Sequence, residues 1–205
     1  MSTELPVQPV WLRLFRRSGC AARLLIVLVA GLPSFCRAQG LFAVTDSQIE
    51  ISERGLVPCL RIVEGARAFA LMPPPGWRLS VQAAEKKLTF VSSNQLAIIT
   101  LTFAATNSAL APNLDLDELQ ASVQRRFSGG EVLSRFTSGT GIARGEGFEV
   151  AWKSSGGQPF VTRLVLVPHP DGVVEAALSG SRSEVDAQRA PFAWFLNSLS
   201  RSTPR

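Results

Sequence analysis

The sequence predicts an α+β domain, an antiparallel β-sheet packed against two main helices, behind an export leader. Three observations lead there: short segments of alternating, β-branched character, two segments with apolar residues at helical spacing, and brief links rich in turn residues. Apolar residues make up 46% of the chain and charged residues 18%, a globular rather than disordered balance, and 205 residues suit one domain.

Residues 1–38 differ from the rest. Arg13, Arg16, Arg17 and Arg23 precede an apolar run from Leu24 to Leu32, then Pro33, then Cys36-Arg37-Ala38. A positive region, a short apolar stretch and a small-residue exit form a secretory signal, with cleavage between Ala38 and Gln39. The run is short of the roughly 20 apolar residues a bilayer span requires; an uncleaved membrane anchor is the alternative. Ser18-Gly19-Cys20 after Arg16-Arg17 departs from the folded-export motif, and Phe35 before Cys36 departs from a lipidation site. After cleavage the expected organisation is a lead-in over 39–46, one globular domain over 47–200 and a tail over 201–205. Membrane contact is expected only through the leader before cleavage.

The first strands are expected at Gln48–Ile51, Arg67–Leu71, Arg78–Gln82, Leu88–Ser92 and Leu96–Phe103. In the last, Ile99, Leu101 and Phe103 alternate with Thr100 and Thr102. A helix is predicted over Leu116–Phe127, with Asp115 as cap, Leu116, Leu119, Val123 and Phe127 on one face, and Gly129-Gly130 as its end. Four more strands are expected at Glu131–Phe136, Gly147–Lys153, Phe160–Val167 and Val173–Leu178. Ser154-Ser155-Gly156-Gly157 and Pro168-His169-Pro170-Asp171-Gly172 join the last three, too briefly for a crossover helix, so these strands should be antiparallel neighbours. The closing segment carries Val185, Phe192, Phe195, Leu196 and Leu199 on one face. It is either one helix from Ser183 bent at Pro191, or a short turn over 183–189 and a separate helix opened by Pro191.

Charge excludes one class of partner. Five of the 21 basic residues and one of the 16 acidic ones lie in the leader, leaving 16 against 15, a formal charge of +1. Nucleic-acid binding needs a concentrated basic face, and Lys86-Lys87 and Arg125-Arg126 read as solvated positions. The same cleavage removes Cys20 and Cys36, so Cys59 has no intrachain disulfide partner and reads as a buried small hydrophobe.

Catalytic and metal chemistry are poorly provided for. Cys59 and His169 are the one candidate thiol–imidazole pair, and a serine hydrolase would have to use the same histidine. Gly139, Gly141 and Gly145 lack the spacing of a phosphate loop and precede a strand, not a helix. Asn113, Asp115 and Asp117 alternate like calcium ligands, but Glu118 and Gln124 occupy the places where such a loop needs glycine and glutamate. No cofactor is expected. Pro73-Pro74-Pro75-Gly76-Trp77 reads as a rigid turn between strands with Trp77 over a sheet edge, a polyproline ligand being its alternative. Trp152 and Trp194 read as core.

The stretch Phe69-Ala70-Leu71-Met72-Pro73-Pro74-Pro75-Gly76-Trp77 resembles the opening of the Mog1/PsbP-like fold, where an apolar strand runs into a proline and a tryptophan. Phe192 to Ser200 is similar to that family's terminal aromatic helix. The resemblance covers roughly residues 60–200 and implies an α/β/α sandwich. It also implies a non-enzymatic binding or assembly module and supplies no catalytic residues; the proline triplet departs from the usual single proline. The expected function is therefore an exported, non-enzymatic module that binds an envelope or extracellular protein, periplasmic or secreted. A small-ligand or lipid carrier is the alternative, and a Cys59 or serine hydrolase with His169 the third reading.

Overall fold

A computed structural model describes residues 41–53, 55–105, 116–127, 129–169 and 172–202. The expected cleavage point at Ala38 and Gln39, the start of the lead-in, Asn113 and Asp115, and residues 203–205 lie outside them.

Two antiparallel sheets and three short helices make up these residues. The smaller sheet has the order β1-β2-β3-β11, formed by β1 (Phe42–Ile51), β2 (Gly55–Glu64), β3 (Arg67–Leu71) and β11 (Ser200–Ser202). β1 begins at Phe42, so most of the expected lead-in is already strand. β2 and β3 meet in a two-residue turn, with Gly65 at φ +61°, and this sets Glu64 directly opposite Arg67. The proline stretch then crosses to the second sheet. Trp77 N–H donates to the Pro74 carbonyl at 3.2 Å, with Pro75 and Gly76 (φ +77°) at the centre of the turn. Trp77 packs against the main core, as a structural reading of this stretch expects.

The larger sheet has the order β4-β5-β6-β10-β9-β8-β7. Its strands are β4 (Arg78–Gln82), β5 (Lys87–Val91), β6 (Ala97–Ala105), β7 (Glu131–Gly139), β8 (Arg144–Lys153), β9 (Pro159–His169) and β10 (Gly172–Gly180). The short links do join antiparallel neighbours, β8 with β9 and β9 with β10. Because side chains alternate across a sheet, β9 and β10 divide their buried apolar residues between two cores. Leu88, Phe90, Ile99, Leu101, Val165, Val174 and Leu178 face one side. There they pack with Leu60, Ile62, Phe69 and Leu71 of the smaller sheet and with Val185, Phe192, Phe195, Leu196 and Leu199. Phe148, Val150, Leu164, Leu166 and Val173 face the other side, against Leu119 and Val123 of α1 (Leu116–Arg126). Sheet, sheet and helices thus form an α+β sandwich.

The closing segment is two helices, α2 (Arg182–Ala187) and α3 (Arg189–Ser198), meeting at Gln188. The expected bend is present but lies before Pro191, which is the third residue of α3. Proline has no N–H to bond the carbonyl four residues back, and that residue is Ala187, where the first helix stops. Ser181, not Ser183, caps α2 by accepting from the Glu184 N–H at 3.3 Å. Trp194 contradicts its core reading. It is 41% exposed, on the outer side of α3.

Candidate functional site

Two carboxylates are buried in the described residues, and both sit in strands at positions facing the main core. Glu64 of β2 accepts from Arg67 at 2.5 Å and Lys86 at 2.7 Å. Arg67 reaches further, donating to Nδ1 of His169 at 2.7 Å, so a guanidinium spans from the small sheet to the end of β9 in the large one. An arginine only donates; Nδ1 therefore accepts, and the ring proton is on Nε2. In a catalytic triad Nδ1 donates to an orienting acid. His169 has the reverse arrangement.

Cys59 does not join it. In β2 it is five residues from Glu64, roughly 17 Å along a strand, and an odd number of residues places it on the opposite face. Cys59 is buried. The thiol–imidazole pair of the hydrolase reading is not assembled. Among the described residues no three His, Cys, Asp or Glu side chains gather as a metal set, and Asp117 is exposed and paired with Arg135 at 2.7 Å. Lys86 and Arg126 correct their reading as merely solvated: one holds Glu64, the other grips Glu175 with two guanidinium nitrogens. That grip raises the Arg126 guanidinium above its ordinary value, the hydrogen bond to Glu175 outweighing the loss of water. The glycine-rich hairpin between β7 and β8 carries no helix N-terminus. Gly147 leaves room there, because a Cβ would run into the Phe136 ring.

That space builds the second cluster. Phe136 fills the space over Gly147, and the Arg163 guanidinium lies over its ring, 3.5 Å from the centroid. Arg163 is in register with Glu149 across β8 and β9 and donates to it at 3.1 Å. Arg189 adds hydrogen bonds at 2.9 and 3.1 Å, and Arg182 a further one, so both helices are clamped to the sheet by one carboxylate. Arg189 also holds Asp186 at 2.9 Å. Burial lowers the Arg163 guanidinium below its usual range; Glu149 opposes this and neighbouring Arg189 adds to it.

One register step beyond the cluster a groove opens over the ends of β7, β8 and β9. Ala151 and Val161, then Lys153 and Pro159, are the next cross-strand pairs on the face that carries Glu149, and Trp152 pairs with Phe160 between them on the opposite face. With Trp152 and Phe160, Gly129 and Glu131 on one side, and Ser181 and Arg182 on the other, they enclose about 580 Å³. Trp152 contradicts its core reading, being half-buried at this rim. It stacks on Phe160 with centroids 5.2 Å apart and meets Phe127 at 5.7 Å. Its Nε1–H donates to Thr162 at 2.9 Å, and Thr162 in turn bonds Ser179. The wall's own polar groups are thus already satisfied, while Lys153 and Arg182 present charge at the edge.

The fold and this groove define a two-sheet α+β domain with a surface cleft. No protein family matches the sequence, and no curated protein is similar to it. Among solved structures it is similar to the Ran-binding protein Mog1p of Saccharomyces cerevisiae, at 15% identity over 74% of this chain and 85% of that one, TM-score 0.42. It is similar to LpqN, involved in cell envelope biogenesis of Mycobacterium tuberculosis, at 11% identity over 78% and 91%, TM-score 0.45. Cyanobacterial PsbP from Synechocystis is a further one, at 12% identity over 82% and 97%, TM-score 0.45. Both names of the Mog1/PsbP-like resemblance thus recur among the structural neighbours. At such identities and scores the likeness is a general arrangement of sheet and helices and assigns no function.

Proposed function

We propose that the chain is an exported, non-enzymatic binding module. The observation that carries this reading is the groove: an apolar wall whose polar atoms are already bonded, edged by Lys153 and Arg182, on a domain whose buried acids and histidine are engaged in ion pairs and hydrogen bonds. Its volume lies within the 300–1,000 Å³ usual for small-molecule sites, which favours a carrier of a small apolar compound.

A protein partner is the second reading, and β4 favours it. β4 is an edge strand paired only with β5, and all five of its residues are exposed, Leu79 at 38% and Val81 at 42%. An open edge with apolar side chains accepts an extended segment of another protein as an added strand. Export rests on the leader over residues 1–38, with Gln39 as the mature terminus and residues 47–200 as the globular domain. Among the described residues no helix is long and apolar enough to cross a membrane.

A native mass spectrum of protein freshly purified from its own cells tests the reading, together with crosslinking in intact cells. The carrier form arrives with an extra, removable mass; the protein-binding form arrives bare but crosslinks repeatedly to the same partner. Bare protein with no recurring crosslink contradicts both. The mass of the polypeptide also reports export, beginning at Gln39 if the leader is cut and at Met1 if it is not.

A further inference from the structure

We propose that the groove over the ends of β7, β8 and β9 binds a small monoanion with an apolar tail, such as a medium- or long-chain carboxylate. The inference rests on the binding-module reading and specifies the occupant. Of the charged residues that line the groove, Lys153 and Arg182 stand against Glu131, leaving one positive charge in excess. Arg163 is satisfied beneath the helices by Glu149 and Phe136, and Arg189 is held between Glu149 and Asp186. The excess is therefore presented by Lys153, which is exposed, and Arg182, which is half-exposed; both line the groove. One surplus cation suits one negative head group. A head group of two charges would leave one uncompensated.

The wall selects the tail. Ala151, Pro159 and Val161 offer apolar surface on the face that carries Glu149 and Arg163, and Trp152 and Phe160 offer it from the opposite face of the sheet. The indole N–H is already used on Thr162, and the backbone of β8 is bonded to β9 along the whole groove and to β7 as far as Ala151, so that only Trp152 and Lys153 lie beyond β7. A sugar or a peptide backbone laid there would find few partners, and each polar group left unbonded costs about 1–3 kcal/mol. An acyl or aromatic tail has no such groups and gains by leaving water, about 0.8 kcal/mol for each buried CH₂. These features favour an apolar anion over a peptide.

Tryptophan fluorescence titration of the protein as isolated from cells tests the proposal, with dodecanoate, dodecanol and a glutamate-rich peptide as probes. The expected result is saturable binding of dodecanoate, weaker binding of dodecanol, and none of the peptide. Lys153→Gln, at an exposed position that leaves folding intact, should weaken dodecanoate by about fivefold and leave dodecanol unchanged. Ala151→Phe should abolish binding of both by filling the cleft, whereas Leu79→Ser on β4 should change neither. Equal affinity for dodecanoate and dodecanol, tighter binding of the peptide, or full binding by Ala151→Phe would each overturn it. Should dodecanoate fail while crosslinks recover a recurring partner, this ligand class falls and the binding-module reading stands.

Discussion

Glu64 and Glu149 are the same residue type, each nearly inaccessible and each facing the main core from a strand, yet they hold different things together. Glu64 has two cations. One comes from the adjacent strand across a tight turn, and the other, Lys86, from the far side of the crossover between the sheets. Its bond network ends on His169 and so fastens sheet to sheet. Glu149 has three arginines, one from its neighbouring strand and two from α2 and α3, and so fastens helices to sheet. Three arginines against Glu149 and Asp186 leave one positive charge, and Arg182 places it at the edge of the groove. The lesson is that a buried acid here acts as a clamp, and that the clamps differ in where the extra cation goes: Arg67 is bonded on to His169, whereas Arg182 stands at the edge of the groove.

Removing each clamp separates the two roles. Glu149→Gln should lower stability by about 3 kcal/mol, the low end for breaking a buried ion pair because Arg182 and Arg189 are half-exposed and recover water. Urea unfolding reads the loss, and hydrogen exchange should rise first in α2 and α3. Glu64→Gln, with two cations rather than three, should cost about 2 kcal/mol, with exchange rising in β1–β3 instead. Equal losses with the same exchange pattern would erase the distinction. Arg189→Ala should cost about 1 kcal/mol, since Arg163 and Arg182 remain on Glu149. Smallest of all, Lys153→Gln should move stability by no more than about 0.5 kcal/mol, being exposed and without an ion pair among the described residues. A larger loss there would place Lys153 in the scaffold and remove it from the ligand.

Much of the fold could be read in advance because it depends on local periodicity. Arg67–Leu71 and Arg78–Gln82 are strands with the expected limits, and α1 begins at the expected Leu116. β2 was not legible, since Pro58 interrupts its apolar run and a proline in a strand reads as a break. At Pro58 only β1 lies alongside, because pairing with β3 starts at Leu60. With one side of the strand open, a missing N–H need cost no ladder bond. β11 is Ser-Arg-Ser, with no apolar signal of its own. It exists because α3 delivers the chain beside β3.

The site was less legible, for reasons of distance in sequence. Nothing local joins Arg67 to His169, 102 residues away. The Glu149 clamp did leave a trace. Glu149 and Arg163 are isolated charges in otherwise apolar strands, and counting outward from the Ser154–Gln158 link brings them opposite one another. Of the helical arginines that complete the cluster, Arg189 reads with Gln188 only as a polar interruption in an apolar face, and Arg182 lies before the helix start expected at Ser183. Which end of the sheet stays open depends on where α2 begins, a tertiary matter.

The central claim is that the recognition surface lies beside the Glu149 clamp. Amide NMR shifts recorded during dodecanoate addition test it most directly. The account predicts that the affected amides are those of Gly129, Glu131, Ala151–Lys153, Phe160, Val161, Ser181 and Arg182, with β1–β4 silent. Shifts confined to β4, or absent around Ala151 and Arg182 at saturation, would contradict it.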